Sequence, residues 1–147
     1  MRIEPVTLDT VEEARQVIFT GFLDYFSEID YSLNPDLHNV LQTYSEKGNM
    51  FVVGAVEKKI VCTGALYKED EETARICRVS VLKDYRQRGL ARQIVHFLEE
   101  KAYEWGYKQI VIETNLQWGK PIGLYKSLGY ITTGTKDNQI HFRKHLM

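Results

Sequence analysis

Between Val79 and Arg92 the chain passes from a β-branched stretch through a basic, glycine-bearing loop, Arg86-Gln87-Arg88-Gly89-Leu90-Ala91, straight into its strongest amphipathic helix. Leu90, Ile94, Leu98, Ala102 and Trp105 recur on one face at the helical period, and Gly106 stands where a C-terminal stop belongs. Strand-like runs flank this unit, Thr73 to Val81 before it and Gln109 to Thr114 after it. A strand, a helix and a second strand in that order require a parallel pair joined by a right-handed crossover.

The remainder of the chain fits around that unit. Ile3 to Val6 reads as a short strand, and Asp9 and Thr10, each followed three residues later by a glutamate (Glu12, Glu13), offer two overlapping capping boxes for a first helix. Val11, Ala14, Val17, Ile18 and Phe22 supply its apolar stripe. Asn34 and Pro35 give a cap and a first-turn proline for a second helix carrying Leu37, Val40, Leu41 and Tyr44. Met50 to Val56, Ile60 to Tyr67 and Thr73 to Val81 are β-rich runs divided by polar turns, which reads as an antiparallel meander. Past Thr114, Lys120 to Leu128 reads as a short helix ended by Gly129, followed by strands at Ile131 to Thr133 and Gln139 to His145. The element order is β-α-α-β-β-β-α-β-α-β-β. It predicts an α/β (α+β) fold, with a mixed, mostly antiparallel sheet of about seven strands flanked by about four helices.

A chain of 147 residues, 44% of them hydrophobic, suits a single domain over 1–147 with an ordinary core. A net charge of −1 argues against a surface built to coat nucleic acid or anionic membrane. The absence of any long apolar run or signal-like N-terminus predicts a soluble protein. Two cysteines, Cys62 and Cys77, lie in apolar runs and read as small buried hydrophobes in a reducing, cytoplasmic setting. His38, His96, His141 and His145 show no metal-ligand spacing, so no metal site is assigned.

The loop carries the chemistry. Its backbone N–H groups form the unsatisfied first turn of the following helix and attract anions. Gly89 can take a positive φ and let a bulky diphosphate approach, and Ala91 keeps the next turn thin. From Arg75 to Arg92 there are six basic residues against a single acid, Asp84, so a local positive field sits in a near-neutral chain. No Gly-Lys-Ser/Thr follows, as a P-loop would need, and the second of the three dinucleotide-binding glycines is missing.

At these residues the sequence resembles the GNAT superfamily of N-acetyltransferases. Arg86, Gly89 and Ala91 match that family's Arg/Gln-x-x-Gly-x-Gly/Ala loop, which grips the diphosphate of acetyl-CoA. Val79-Ser80-Val81 matches the strand whose backbone pairs with the pantetheine arm and whose bulge points amides at the thioester. Leu124-Tyr125-Lys126-Ser127-Leu128-Gly129-Tyr130 matches a later Leu-Tyr-x-x-x-Gly-Phe segment. The element order agrees along the whole chain, while the specific motifs lie between Arg75 and Tyr130. Where the family often has Asn and Ala, seven and four residues before the tyrosine, this chain has Trp118 and Pro121. Asn115 or Trp118 is left to supply the missing contact to the cofactor.

The resemblance implies acetyl transfer from acetyl-CoA, as cosubstrate, to a small-molecule or peptide amine by direct attack in a ternary complex, in a monomer or homodimer. It assigns the leaving thiolate's proton to Tyr125, and cofactor contacts to Val79, Val81 and the run Arg86, Gln87, Arg88, Gly89, Leu90, Ala91, Arg92. A backbone N–H at or near Val81 would hold the developing oxyanion. Glu113, an acid at the end of an apolar strand, reads either as the base that takes the amine proton or as half of a structural salt bridge. Gly21 to Leu33, with Phe22, Tyr25, Phe26 and Tyr31 among Asp24, Glu28 and Asp30, reads either as the pocket for a cationic acceptor or as helix core beside solvated acids. A non-catalytic acyl-CoA-binding or regulatory module of the same fold is the alternative to an enzyme.

Overall fold

The computed structural model describes residues 1–22, 35–116 and 119–146. In chain order the elements are β1 Arg2–Pro5, α1 Val11–Phe22, a 3₁₀ turn Pro35–His38, α2 Val40–Thr43, β2 Met50–Val56, β3 Lys59–Lys68, β4 Thr73–Val81, a 3₁₀ turn Lys83–Tyr85, α3 Leu90–Glu104, β5 Gln109–Asn115, α4 Gly119–Ser127, β6 Ile131–Lys136 and β7 Gln139–His145. The strands form one seven-stranded sheet in the order β1-β2-β3-β4-β5-β7-β6. Every neighbouring pair is antiparallel except β4 and β5, which run parallel as the α3 crossover requires.

Strand alternation divides the core between the two faces of the sheet. Phe51 and Val53 turn to one face with Ala65, where α1 lays down Ala14, Val17, Ile18 and Phe19 and the segment after it adds Leu37, Val40 and Tyr44. Val52 turns to the other face with Val61, Leu66, Ile76, Ile110 and Ile112, covered by Ile94, Leu98 and Ala102 of α3 and Tyr125 of α4. Helix α3 lies so close to β3 that a Cβ on Gly64 would stand 2.3 Å from Ile94 Cγ2.

Three details depart from the reading of the sequence. Trp105 does not continue the buried stripe of α3. The helix ends at Glu104, Gly106 takes φ +88, and Tyr107 N–H returns to Ala102 O at 3.0 Å. This closure leaves Trp105 44% exposed and buries Tyr107 in its place. At the start of α1, the Glu13 carboxylate accepts the Ile60 N–H at 2.8 Å and Glu12 binds Arg15 at 2.9 Å, so both glutamates serve partners other than the helix cap. The second helix is broken into a 3₁₀ turn and a single α-turn on either side of Asn39, whose φ is −135. Of the acceptor-pocket residues read from the sequence, Phe22 lies on α1; Asp24, Tyr25, Phe26, Glu28, Asp30 and Tyr31 lie outside the described residues, as does Asn34.

Candidate active site

Strands β4 and β5 pair over only three positions, Thr73 with Gln109, Ala74 with Ile110 and Arg75 with Val111. Beyond them β4 runs on to Val81 while β5 stays with β7 as far as Asn115, so the sheet opens into a cleft. A bulge bends β4 at this point. Its register against β3 slips between Thr63 and Ala65, where Gly64 faces both Arg78 and Val79, and Arg78 has φ +56. Side chains hold that strained residue. Thr63 Oγ1 donates to Arg78 O at 2.7 Å, and the Arg78 guanidinium donates Nε to Asp36 Oδ2 at 2.9 Å and Nη2 to Asp36 Oδ1 at 2.5 Å. The Tyr44 hydroxyl donates to the same carboxylate at 2.7 Å. Burial alone would raise the Asp36 carboxyl, but the Arg78 and Tyr44 hydrogen bonds outweigh it and hold the group below its ordinary range.

The bend leaves an unpaired strand edge facing the cleft. Leu82 donates its N–H to Val61 O of β3 at 2.8 Å, so strand alternation turns the N–H and C=O of Val81 to the opposite edge, from which β5 has departed. Arg86 Nε meets Val81 O there at 2.8 Å. After the Lys83–Tyr85 turn, Gln87 and Gly89 both take positive φ, +62 and +77, on either side of Arg88. Successive residues of this kind turn their N–H groups into one concave surface. Gly89 is also the N-cap of α3, which has no side-chain cap hydrogen bond, and nothing lies within 4 Å of where its Cβ would be. A loop of this shape at a helix N-terminus has the geometry to cradle an anion.

Loop and cleft form one cavity of about 1180 Å³, lined by Val79, Val81, Arg86, Gln87, Gly89, Leu90, Ala91 and Arg92 on one side and by Glu113 and Tyr125 on the other. Arg92 Nη2 reaches across to α4, where Ser127 Oγ lies at 2.9 Å. Two residues proposed from the sequence stand off its wall. Arg88 places its guanidinium 5.1 Å from the centroid of the Tyr85 ring, and Asn115 ends β5 opposite Gln139, which does line the cavity. Trp118 lies outside the described residues.

Tyr125 is buried at the cleft, its ring edge-on to Tyr130 (6.0 Å) and Phe142 (5.9 Å). Burial first, and the nearby Cys77 thiol second, push its hydroxyl well above the ordinary tyrosine range, so it keeps its proton. Glu113 Oε1 lies 2.5 Å from Arg75 Nη1 and 3.6 Å from His141 Nδ1. Glu113 therefore stands on the cavity wall and in an ion pair at once.

Cys77, read from the sequence as core, is half-buried and lines the cavity. Burial pushes its thiol up to about 11. A second cavity of about 540 Å³, lined by Tyr44, Tyr67 and Glu69, shares Arg75, Cys77 and Arg78 with the wall of the first. Placing alternate residues of β4 on opposite faces of the sheet would have put Arg75 and Cys77 together on this shared wall. Among the described residues there is no group of three or more His, Cys, Asp or Glu that could hold a metal ion, and no helix is long and apolar enough to cross a membrane.

Comparison with known proteins agrees with this geometry. The model of the acetyltransferase (GNAT) family matches residues 12–130. Human N-acetyltransferase 8B is 33% identical over 112 residues, which is 72% of this chain and 49% of that protein. The chain thus spans about half the length of that curated relative. A GNAT-family acetyltransferase from Staphylococcus aureus Mu50 superposes with a TM-score of 0.89 at 19% identity, over 99% of both chains. PaiA N-acetyltransferase from Thermoplasma acidophilum, in complex with coenzyme A, superposes with a TM-score of 0.84 at 14% identity, over 99% of this chain and 98% of that one. With the family model covering most of its length, the chain belongs to the acetyltransferase (GNAT) family.

Proposed function

We propose that residues 1–147 act as one acetyltransferase unit that moves an acetyl group from acetyl-CoA to the amine of a small molecule or peptide. The observation that carries this reading is the cleft, where an unpaired β4 edge runs from an anion-cradling loop to a buried, protonated tyrosine. The groups present suit the cofactor. Backbone N–H groups of Gln87 through Arg92 would receive the diphosphate, with the open space beside Gly89 admitting it. The β4 edge from Val79 to Val81 would pair with the amides of the pantetheine arm as a neighbouring strand does. Bound there, acetyl-CoA supplies an acyl group already activated as a thioester.

The chain's own groups do the rest. A backbone N–H at or near Val81, turned into the cleft and not taken up by the pantetheine arm, donates to the carbonyl oxygen as negative charge builds on it. The Tyr125 hydroxyl, kept protonated by burial, gives its proton to the departing sulfur. The acceptor amine enters through the second cavity and reaches the cleft between Arg75, Cys77 and Arg78. Glu113 takes the amine proton through water, because both of its close contacts, Arg75 and His141, fall on Oε1.

The first test is the melting temperature with saturating acetyl-CoA, CoA or ATP, for wild type and Gly89→Asp. At a hundredfold excess over Kd, either CoA species should raise the wild-type value by about 5 to 10 °C. The rise should be small with ATP and lost in Gly89→Asp. No rise with CoA would overturn the cofactor site. Tyr125→Phe should then lower kcat more than it raises KM for acetyl-CoA, and unchanged turnover would remove Tyr125 from the mechanism.

A further inference from the structure

On the α3 side of the sheet lies a charged cluster with no part in the reaction proposed above. Glu99 belongs to the buried stripe of α3, between Val95 and Ala102, where an apolar side chain is the default. It is only 8% exposed. Its Oε2 accepts the Tyr130 hydroxyl at 2.8 Å and Lys144 Nζ at 3.0 Å, and its Oε1 lies 3.4 Å from His96 Nδ1. Lys144 Nζ also stands 5.5 Å from the centroid of the Tyr130 ring. A buried ion pair of this kind adds little stability over apolar residues of the same shape, and its best-attested use is to specify a geometry.

The geometry specified here is that of Tyr130, and through it Tyr125. The Tyr130 ring is held at its hydroxyl by Glu99, beside Lys144, and against the Tyr125 ring at 6.0 Å with an interplanar angle of 66°. Its N–H also closes the end of α4 on Tyr125 O at 3.1 Å. Tyr125 is held through its ring, by Tyr130 and by Phe142, which leaves the hydroxyl to the cleft. In the segment that resembles Leu-Tyr-x-x-x-Gly-Phe, this chain has a tyrosine in the final position. Phenylalanine would fill the same space without reaching Glu99.

We propose that Glu99 and Tyr130 are positioning residues, which fix the Tyr125 ring so that its hydroxyl is aimed at the leaving sulfur. The proposal rests on the reading of Tyr125 as proton donor. Tyr130→Phe keeps the ring and the fold and deletes only the tie to Glu99; Glu99→Gln keeps an acceptor for Tyr130 and deletes the charge facing Lys144. The Tyr125 ring-flip rate, read by NMR on ring-labelled protein without ligand, should rise about tenfold in Tyr130→Phe and less in Glu99→Gln. In Tyr130→Phe, thiol release measured over a range of acetyl-CoA concentrations, with water as acceptor, should fall about fivefold in kcat with KM unchanged. The same substitution in a Tyr125→Phe background should cause no further loss.

An unchanged flip rate, a change confined to KM, or an undiminished loss in the Tyr125→Phe background would each overturn the positioning role. If Tyr125→Phe by itself leaves thiol release unchanged, it is the proton-donor reading that fails, and the flip rate separates the two failures.

Discussion

Removing the charge of Asp36 tests how the bend in β4 is held at the level of single residues. The Arg78 and Asp36 side chains are 21% and 20% exposed, and Asp36→Asn takes a counter-charge away from the guanidinium of a residue held at φ +56. We expect a loss of about 2 to 4 kcal/mol, seen as a melting point lower by about 6 to 12 °C. Because the folded carboxyl sits below its ordinary value, the pair stabilises the fold above the unfolded-chain pKa of about 4 and loses that effect as the pH falls through the lower folded value. Melting curves from pH 7 down to about 2.5 should therefore fall more steeply below about pH 4 in the wild type than in Asp36→Asn. The tyrosines act in the opposite direction. Tyr44, Tyr125 and Tyr130 are all pushed up, chiefly by burial, so their contribution is complete below the unfolded value of about 10 and is lost above it. The melting point should show no tyrosine-linked decline up to about pH 9 and drop beyond pH 10. Ultraviolet phenolate titration should show these three ionising only as the fold opens.

At the scale of elements, the contact between α3 and β3 sets where the anion-cradling loop stands. A methyl group at Gly64 would meet Ile94 Cγ2 at 2.3 Å and Leu98 Cδ1 at 3.1 Å, so Gly64→Ala must push the helix outward. The expected cost is about 1 to 3 kcal/mol, with weaker CoA binding in titration calorimetry because the N-terminus of α3 moves with it. Most elements were legible in the sequence. Strands β2, β4 and β7 fall on the residues read as strand, since polar turns bracket β-rich runs whose apolar residues reach a core. Strand β6 was read only as far as Thr133 but extends to Lys136. All six of its residues are exposed, so no apolar alternation marks its length. The segment from Leu37 to Tyr44 has helical spacing, yet Asp36 is drawn to Arg78 and Tyr44 to Asp36, and the distant attachment does not show in local periodicity.

For the whole molecule, the parts of the cavity lining that could be read in advance are those written in consecutive residues: Arg86, Gln87 and Gly89 to Arg92 of the loop, the Val79 to Val81 edge and Tyr125 in its helix. The Asp36–Arg78 pair could not be, because its two residues meet only when the sheet and the segment before α2 come together. Arg88 has the composition of a phosphate ligand, but its side chain settles on Tyr85. The three-residue pairing of β4 with β5 has a further consequence. An edge that ends a sheet is open to any other polypeptide, whereas this one lies inside the sheet, between two strands and under α3 and α4. A slender, flexible chain of amides would fit such a gap and complete the ladder. Amide hydrogen exchange at Val81 should slow by about tenfold or more when CoA binds, with little change on adding ATP. Linear diamides with the spacing of a β-strand, lacking both nucleotide and thiol, should compete for the same groove, which makes the missing half of a strand pair a template for inhibitors.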